Sequence, residues 1–509
     1  MIQYDYIVIG AGSAGCVVAN RLSEDPNVNV LLLEAGNPDT KPEIQVPADS
    51  FKLLGTEVDW GYVSEPEPYL NHRKMPCSHG KVLGGSSSIG AMSYVRGNPH
   101  DYDHWQELGN SGWSYQDVLP YFKKSEHQQH GVSEFHGVDG ELSVTDLIAP
   151  AAITQRFIDA AMALGYDYNP DFNAKQQEGV GPCQVTIKDG KRHSTAAAFL
   201  VPILQRFNLT VTTGALVTRL LFEGTRAVGV EYLHEGRLHQ VRVNVEVVLS
   251  AGVFDSPKLL MLSGIGDAKS LHVLGISVVT DLPGVGQNLQ DHIFGSVSYQ
   301  AIEDLHPASS SSIGEAQLFL YSEKNAEITP DLQFFFGPNL FLPPDYARPE
   351  FGFTGIAILT HPQNVGSVSL RSSDPKDAPM IRMNHLQSEV DVQKLVAGIK
   401  LMRQLFQHST FDEYRGAEIA PGTDVMSDEA LVAYIRDTGS TFWHSVGTCK
   451  MGTDPMAVVD PELRVHGIEG LRVVDASIMP IITTGNTNAP TIMIGEKAAD
   501  LIKGAYRVP

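Results

Sequence analysis

Hydrophobic spacing alone predicts the first elements of the chain. Residues 4–9 form a short apolar run centred on Ile7, Val8 and Ile9, the pattern of a parallel strand buried on both faces. Residues 13–23 change to helical spacing, with Val17, Val18 and Leu22 on one face. Residues 28–33 return to an apolar strand, which ends at Glu34. A strand–helix–strand unit is therefore expected at the start. Residues 37–80 are irregular and rich in Pro, Gly, Asp and Glu, and the run Gly84-Gly85-Ser86-Ser87-Ser88 is too small and flexible for a regular element. Residues 209–217, 227–233 and 241–249 read as strands, the last two forming a hairpin across Glu235-Gly236. Residues 256–262 read as a helix that begins at Pro257, a residue favoured in a first turn. Strands are expected at 331–336 and 355–370, an amphipathic helix at 390–406, and a terminal helix at 488–502 with Pro490 in its first turn. Residues 309–312 read as a loop, and no internal repeat is present.

Composition narrows the class. At 509 residues the chain exceeds the size at which one hydrophobic core stops growing, so two domains are expected. Apolar residues at 42% and charged residues at 19% suit a folded globular protein. The net charge of −22, with no Lys/Arg-rich run, argues against nucleic acid as a partner. Solubility accounts for the acidity; attraction of a cationic substrate is the sharper alternative. The four cysteines, Cys16, Cys77, Cys183 and Cys449, form no CxxC pair and are read as reduced thiols of a cytoplasmic protein rather than as disulfides or zinc ligands. The N-terminus lacks a basic leader, and no apolar run is long enough to span a bilayer, so the protein is expected to be soluble.

Chemistry enters with Gly10-x-Gly12-x-x-Gly15, which follows a strand and opens a helix, with Glu34 closing the next strand. The first glycine permits the tight turn, the second lets backbone approach a pyrophosphate, and the third lets helix pack on strand. The helix N-terminus offers unpaired N–H groups to phosphates. An acid at Glu34 suits a ribose with a free 2′-OH, which both FAD and NAD carry.

The rest of the chain decides between them. The segment from Gly80-Lys81-Val82-Leu83-Gly84-Gly85-Ser86-Ser87-Ser88-Ile89 through Tyr94-Val95-Arg96-Gly97-Asn98 resembles the first signature of the glucose–methanol–choline (GMC) oxidoreductases. Ser250-Ala251-Gly252, with Ser256-Pro257 and Ser263-Gly264-Ile265-Gly266, resembles the second. The stretch 282–292, the His444 to Gly452 segment, Asp475-Ala476-Ser477 and the 485–490 stretch are also similar to family segments, so the likeness covers nearly the whole chain. It implies an α/β plus α+β architecture. A Rossmann-type FAD domain would be assembled from residues 1–150, 205–295 and 440–509, and a substrate domain, an antiparallel sheet flanked by helices, from 151–204 and 296–439.

The same resemblance assigns FAD contacts. They fall on Gly10, Gly12, Ser13, Ala14, Gly15, Glu34 and Ala35, and on Val82, Gly84, Gly85, Ser86, Ala91 and Met92. Val217, Ala251, Gly252, Trp443, Asp475, Ala476, Asn486 and Thr487 complete the set, with Val217 at the adenine and Asp475 and Ala476 at the ribityl–phosphate region. One departure stands out: Gly90 occupies a place where the family usually has Asn or His. Relatives that attach FAD covalently use a histidine in this same loop, where the nearest candidate here is Ile89, so the FAD is expected to be non-covalent.

Oxidation of an alcohol removes a proton from oxygen and a hydride from carbon, the latter to flavin N5. A histidine suits the proton, and an amide N–H₂ suits the developing negative charge. His444 and Asn486 fall where the family keeps its catalytic pair, His444 as base and Asn486 as donor to the substrate oxygen. If the terminal helix, capped at Thr487 or Asn488, points at the flavin, its dipole stabilises negative charge there. Trp443 either lines the substrate pocket or only packs, and Glu315 falls where choline-oxidising relatives place an anion. The expected partners are a small alcohol and an electron acceptor, either O2 or a quinone- or dye-type molecule. The main reading is oxidation of an alcohol to an aldehyde, with choline as one candidate substrate. The alternatives are a non-redox hydroxynitrile-lyase type, a fatty-acid photodecarboxylase, whose relatives lack the His/Asn pair, and a non-catalytic flavin-binding protein.

Overall fold

The computed structural model describes residues 4–305, 312, 314–323, 328–343 and 345–506. The strand–helix–strand unit forms as Tyr4–Ile9, Ser13–Leu22 and Val30–Leu33. All four residues of Val30–Leu33 are buried, as expected of a strand covered on both faces. Tyr4–Ile9 pairs in parallel with Val30–Leu33 on one side and with Arg237–Leu249 on the other. Leu209–Thr212 and Leu471–Val473 extend this parallel region at its two flanks.

Arg237–Leu249 serves two structures. Its first half alternates in exposure and forms the expected hairpin with Arg226–His234, which pairs in turn with Leu216–Glu223. Its last four residues are buried and lie beside Tyr4–Ile9. The single strand expected at 209–217 is broken, because Gly214 takes a positive φ of +65° and turns the chain between the parallel region and the hairpin.

A second, antiparallel sheet runs in the order Arg415–Ala420, Ile293–Ala301, Gly352–Leu359, Leu332–Gly337, Ala316–Leu320, Gly179–Pro182. The expected strand at 355–370 ends at Leu359; Ser367–Ser369 is a separate short strand paired with Met380–Arg382. The amphipathic helix Glu389–Gln407 buries Val392, Leu395, Val396 and Ile399 in the core that contains this sheet. Mixed α/β architecture with two principal sheets and separate cores agrees with the expected fold class.

Three local differences have physical causes. The helix expected from Pro257 begins at Gly252, with Pro257 inside it. Proline has no N–H to give to Val253 O, and the Thr448 hydroxyl donates to that carbonyl instead, at 2.6 Å. Gly85–Ser88 winds into a short 3₁₀ turn rather than staying irregular. In the expected loop at 309–312, only Ser312 lies among the described residues, and its hydroxyl donates to Ala91 O.

The terminal helix Asn488–Tyr506 lies against Ser13–Leu22. Buried Arg21 joins the two, donating from Nη2 to Glu496 at 2.6 Å and from Nη1 to Glu141 at 2.6 Å. Removing one partner of so buried a pair leaves an uncompensated charge, so this contact fixes how the first and last helices meet.

Candidate active site

A single elongated cavity runs from the fingerprint glycines to His444 and Asn486. At one end the tight turn has the expected form. Gly10 adopts φ +96°, and a Cβ there would stand 2.4 Å from Ser250 O. A Cβ on Gly15 would stand 1.9 Å from Gly10 O, so this glycine permits helix-on-strand packing and does not reach the cavity. A Cβ on Gly12 would meet nothing within 4 Å. Gly12 caps the Ser13–Leu22 helix with no side-chain bond, which leaves its first N–H groups for a ligand.

Glu34 is buried at this end. Its carboxylate accepts from Ala11 N and Gly36 N, both at 2.8 Å, and burial pushes its pKa up to about 7 despite those bonds. Asp475 accepts from Gly252 N, Ser256 Oγ and Ser477 N, which pins the start of the Gly252–Leu262 helix. Gly10, Gly12, Ser13, Ala14, Glu34 and Ala35 line the cavity, as do Gly85, Ser86, Ala91 and Met92. Val217, Ala251, Gly252, Trp443, Asp475, Ala476 and Thr487 line it too.

Besides Gly15, three residues expected at the site do not reach the wall. Val82 is buried in a small apolar cluster with Ile44, Leu53, Val58 and Ile89. Gly84 spends its N–H on Ala11 O at 2.7 Å, tying two cavity loops together from behind. Glu315 is fully buried, and its carboxylate accepts from Ala151 N and Thr154 Oγ1. It therefore supports the fold near Ala151 and offers no anion to a substrate. Asn488 Oδ1 accepts from Ser13 Oγ at 2.6 Å, so its side chain links the two helix starts. The Thr487 carbonyl accepts from Thr491 N, which makes Thr487 the residue at which the terminal helix begins.

At the far end, His444 and Asn486 meet. Asn486 Nδ2 lies 3.0 Å from His444 Nε2, and both side chains are buried at the cavity wall. The remaining contacts assign their protons. His292 Nε2 lies 2.8 Å from Thr360 O, a carbonyl that only accepts, so His292 carries its proton on Nε2. Burial, reinforced by the neighbouring His444, holds His292 neutral, well below the usual imidazole range. Its Nδ1 is then a bare acceptor, and His444 Nδ1–H donates to it at 2.9 Å. His444 Nε2 is thereby left unprotonated, and its lone pair accepts from the Asn486 amide at 3.0 Å. Burial pushes the His444 pKa down to about 3, so the ring rests unprotonated.

Asn486 is oriented by a similar argument. Gln333 Nε2 donates to Gln317 Oε1 at 2.7 Å and to Asn486 Oδ1 at 3.3 Å, which turns the Asn486 N–H₂ toward His444. Asp291 accepts from His444 N at 2.8 Å and from Thr441 Oγ1, and so clamps the backbone on both sides of Trp443. Trp443 has φ +58°, a strained value for a bulky residue. Its indole N–H donates to Pro76 O at 3.2 Å and it also lines the cavity, so it does more than pack. Phe442 packs edge-on against the His444 ring, with centroids 5.0 Å apart.

His292, Asp291, Gln317 and Gln333 were not singled out from the sequence. The glutamines had a legible signal, since each is a lone polar residue inside an otherwise apolar strand, Ala316–Leu320 and Leu332–Gly337.

The residues fit an FAD. Glycine-lined turns and an uncapped helix start face one end of the cavity, while the hydroxyls of Ser250 and Ser445, both on the wall, are buried without a partner. Such orphaned donors need a ligand or water. Models of the GMC oxidoreductase family match residues 4–294 and 362–495. The chain belongs to the GMC oxidoreductase family.

Its relatives include the oxygen-dependent choline dehydrogenase of Pseudomonas savastanoi pv. phaseolicola, 45% identical over 544 residues and spanning 100% of this chain and 94% of that protein. Among solved structures, pyridoxine 4-oxidase from Mesorbium loti superposes with a TM-score of 0.95 at 32% identity, covering 100% of both chains. A formate oxidase variant of Aspergillus oryzae RIB40, studied for FAD modification, gives 0.91 at 28% identity over 99% of each chain. This GMC protein is an FAD-dependent oxidoreductase acting on an alcohol. Among the described residues, no helix is long and apolar enough to cross a membrane.

Proposed function

We propose that His444 is the base that takes the hydroxyl proton of a primary alcohol, and that Asn486 holds the alcohol oxygen as it becomes negative. The observation that carries this reading is the proton assignment along Thr360, His292, His444 and Asn486: it leaves His444 Nε2 as the unprotonated nitrogen, held only by an amide donor. An alcohol oxygen that takes over the Nδ2–H now directed at Nε2, 3.0 Å away, gives its own proton to Nε2 and accepts from Nδ2. Bound FAD supplies the N5 atom to which the carbinol hydride passes. Gly10, Gly12, Ser13 and Glu34 would hold its nucleotide half, and Gly85, Ser86, Ala91 and Met92 its ring half. His292 keeps the proton of His444 on Nδ1 throughout, and Gln333 keeps the amide facing inward. Proton transfer to a positioned base of this kind is worth roughly 10²–10⁴-fold in rate.

The substrate we propose is a neutral primary alcohol with an apolar or aromatic body. Phe335, Phe341, Phe442 and Trp443 line the cavity at its His444 end, with Phe335 and Phe442 in edge contact at 5.7 Å. The acids on the cavity wall, Glu34, Asp255 and Asp475, are each bonded elsewhere: Asp255 accepts from Tyr62 OH at 2.8 Å. Choline is the second reading, favoured by the name of the 45%-identical relative and by the capacity of aromatic walls to bind a quaternary ammonium. We take the FAD to be non-covalent, since Ile89 has no nucleophile; the acceptor to be dioxygen, as the relatives' name suggests; and the location to be cytoplasmic, in keeping with four free buried cysteines.

The test is anaerobic addition of benzyl alcohol, a linear primary alcohol and choline, each to separate samples of the yellow protein, followed near ~450 nm where the oxidised ring absorbs. Bleaching by an alcohol, slowed roughly 10²–10⁴-fold by His444→Ala, is expected. A ring left yellow by all three would overturn the redox reading in favour of a lyase. Bleaching by choline alone would move the substrate to the second reading. Admitting air then reads the acceptor.

A further inference from the structure

Arg192 is a buried cation with no acid beside it. Its side chain is 3% exposed, and its four hydrogen bonds all go to uncharged acceptors. Nε donates to Ile44 O at 2.9 Å and Nη2 to Ser50 Oγ at 2.7 Å. Nη1 donates to Gly90 O at 2.5 Å and to Ser87 O at 3.3 Å. No carboxylate pairs with it among the described residues; of the acids directly beside these contacts in sequence, Glu43 and Asp49, the latter is paired with Lys52 at 2.8 Å. Burial alone pushes its pKa down, to about 9, which leaves it charged at neutral pH.

A lone charge in a protein interior is costly unless something requires it. Arg192 stands behind the loop whose front lines the cofactor cavity: Ser50, Ser87, Ile89 and Gly90 are on the wall, and Arg192 is not. Two of the three carbonyls it grips, Ser87 O and Gly90 O, lie on either side of Ile89 in sequence. Absence of a side chain at Gly90 keeps that loop thin, with only backbone between guanidinium and cavity at this point; a Cβ would already stand 3.1 Å from Ser86 O. Carbonyl dipoles lower the cost of the charge without cancelling it, and a net positive field persists through a low-dielectric layer.

We propose that Arg192 is the fixed positive charge that sets the electron affinity of the bound flavin, acting through the loop without touching the ring. It favours the negative charge the ring gains on reduction and so raises the driving force for taking the carbinol hydride. This makes Arg192 a positioning and tuning residue and not a catalytic one. The role depends on FAD binding in this cavity and is independent of which alcohol is oxidised.

The test uses the FAD-loaded enzyme without substrate, at pH 6 to keep a replacement lysine charged. Sulfite adds to N5 of the oxidised ring and places negative charge on it, so its Kd, read from loss of the flavin band, reports the same field. Arg192→Gln is expected to weaken sulfite binding about tenfold, which for a two-electron couple corresponds to about 30 mV. Arg192→Lys, which keeps the charge, should stay within about threefold of wild type. A purely structural role would loosen FAD retention in both Arg192 variants and leave sulfite affinity of the retained flavin unchanged; that result overturns the proposal. So does a tenfold loss in Arg192→Lys. If Arg192→Gln holds no FAD, the charge is removed from the lysine variant instead by raising the pH from 6 to 9 alongside wild type: sulfite binding that weakens more in Arg192→Lys than in wild type supports the proposal, and parallel behaviour overturns it.

Discussion

His292 Nδ1 and His444 Nδ1 face each other at 2.9 Å, although 152 residues separate them in sequence. Only one proton fits between two such nitrogens, and the Thr360 carbonyl has already claimed the proton of His292. The pair is thus a tautomer lock, in which a histidine remote from the cavity wall decides which nitrogen of its neighbour can act as a base. Partners of this kind, one bond removed from the reacting group, typically matter by 10–100-fold.

Replacing His292 with Phe should lower the rate of anaerobic flavin reduction by roughly 10–100-fold with little change in substrate Kd. Asn at the same place, whose carbonyl can accept from His444 Nδ1–H, should recover part of the loss. Stopped-flow reduction at several alcohol concentrations separates rate from affinity; a Phe variant as fast as wild type would remove the lock from the mechanism.

Asn486→Ala should reduce the limiting reduction rate by roughly 10²–10³-fold, the usual cost of losing one preorganised donor to a developing oxyanion. Gln333→Leu leaves Asn486 in place but frees its amide to turn, so a smaller loss of the same kind is expected. Equal rates in Asn486→Ala and wild type would show that the alcohol oxygen sits elsewhere.

Acid should destabilise the fold through His444. Its folded pKa is depressed to about 3, against about 6.5 in the unfolded chain, so the unfolded state binds the extra proton between those values. Stability is therefore full above about pH 6.5 and is lost as pH falls, by about 1 kcal/mol on going from pH 7.5 to 5.5. Denaturant midpoints at the two pH values should differ less in His444→Asn than in wild type. A variant as acid-sensitive as wild type would show that the ring is not held neutral.

Glu315→Gln should leave the preference between choline and neutral alcohols unchanged while lowering the melting temperature, because the carboxylate serves Ala151 and Thr154 and not the cavity. A selective rise in the KM for choline alone would place Glu315 in the substrate site after all.

Thr448→Val should destabilise the protein by about 1–3 kcal/mol, the cost of leaving a buried acceptor unpaired. The acceptor is Val253 O, which Pro257 cannot serve. Denaturant unfolding of the two proteins measures the difference.

Much of this arrangement was legible in the sequence, and the gaps share a cause. Tyr4–Ile9, Ser13–Leu22 and the glycine turn between them announce themselves because local spacing and local chemistry agree. His444 and Asn486 were found through motifs, and they do meet. Gly15, Val82 and Gly84 belong to the same motifs yet serve packing, since a motif marks everything needed to shape a loop and not only what touches a ligand. Glu315 misled for a related reason: its place in the chain gave no sign of Ala151 N and Thr154, which come from a distant segment. His292, Gln317, Gln333 and Arg192 matter only through partners far away in sequence, and no periodicity encodes such partners. The helix start at Gly252 was missed because a proline inside a helix needs an outside donor, here Thr448.

The parallel sheet that carries the glycine turn draws its strands from segments far apart in sequence: Tyr4–Ile9 is flanked by Arg237–Leu249, and Leu471–Val473 closes the far side of that strand. On the ribosome the outer edge of Arg237–Leu249 must therefore wait for Leu471–Val473, roughly 220 residues later, on the order of 10–45 s at typical elongation speeds. Throughout that interval the edge of this apolar strand lacks its final neighbour, so nascent chains of this protein should engage holdase chaperones, and cofactor capture should follow synthesis of Leu471–Val473.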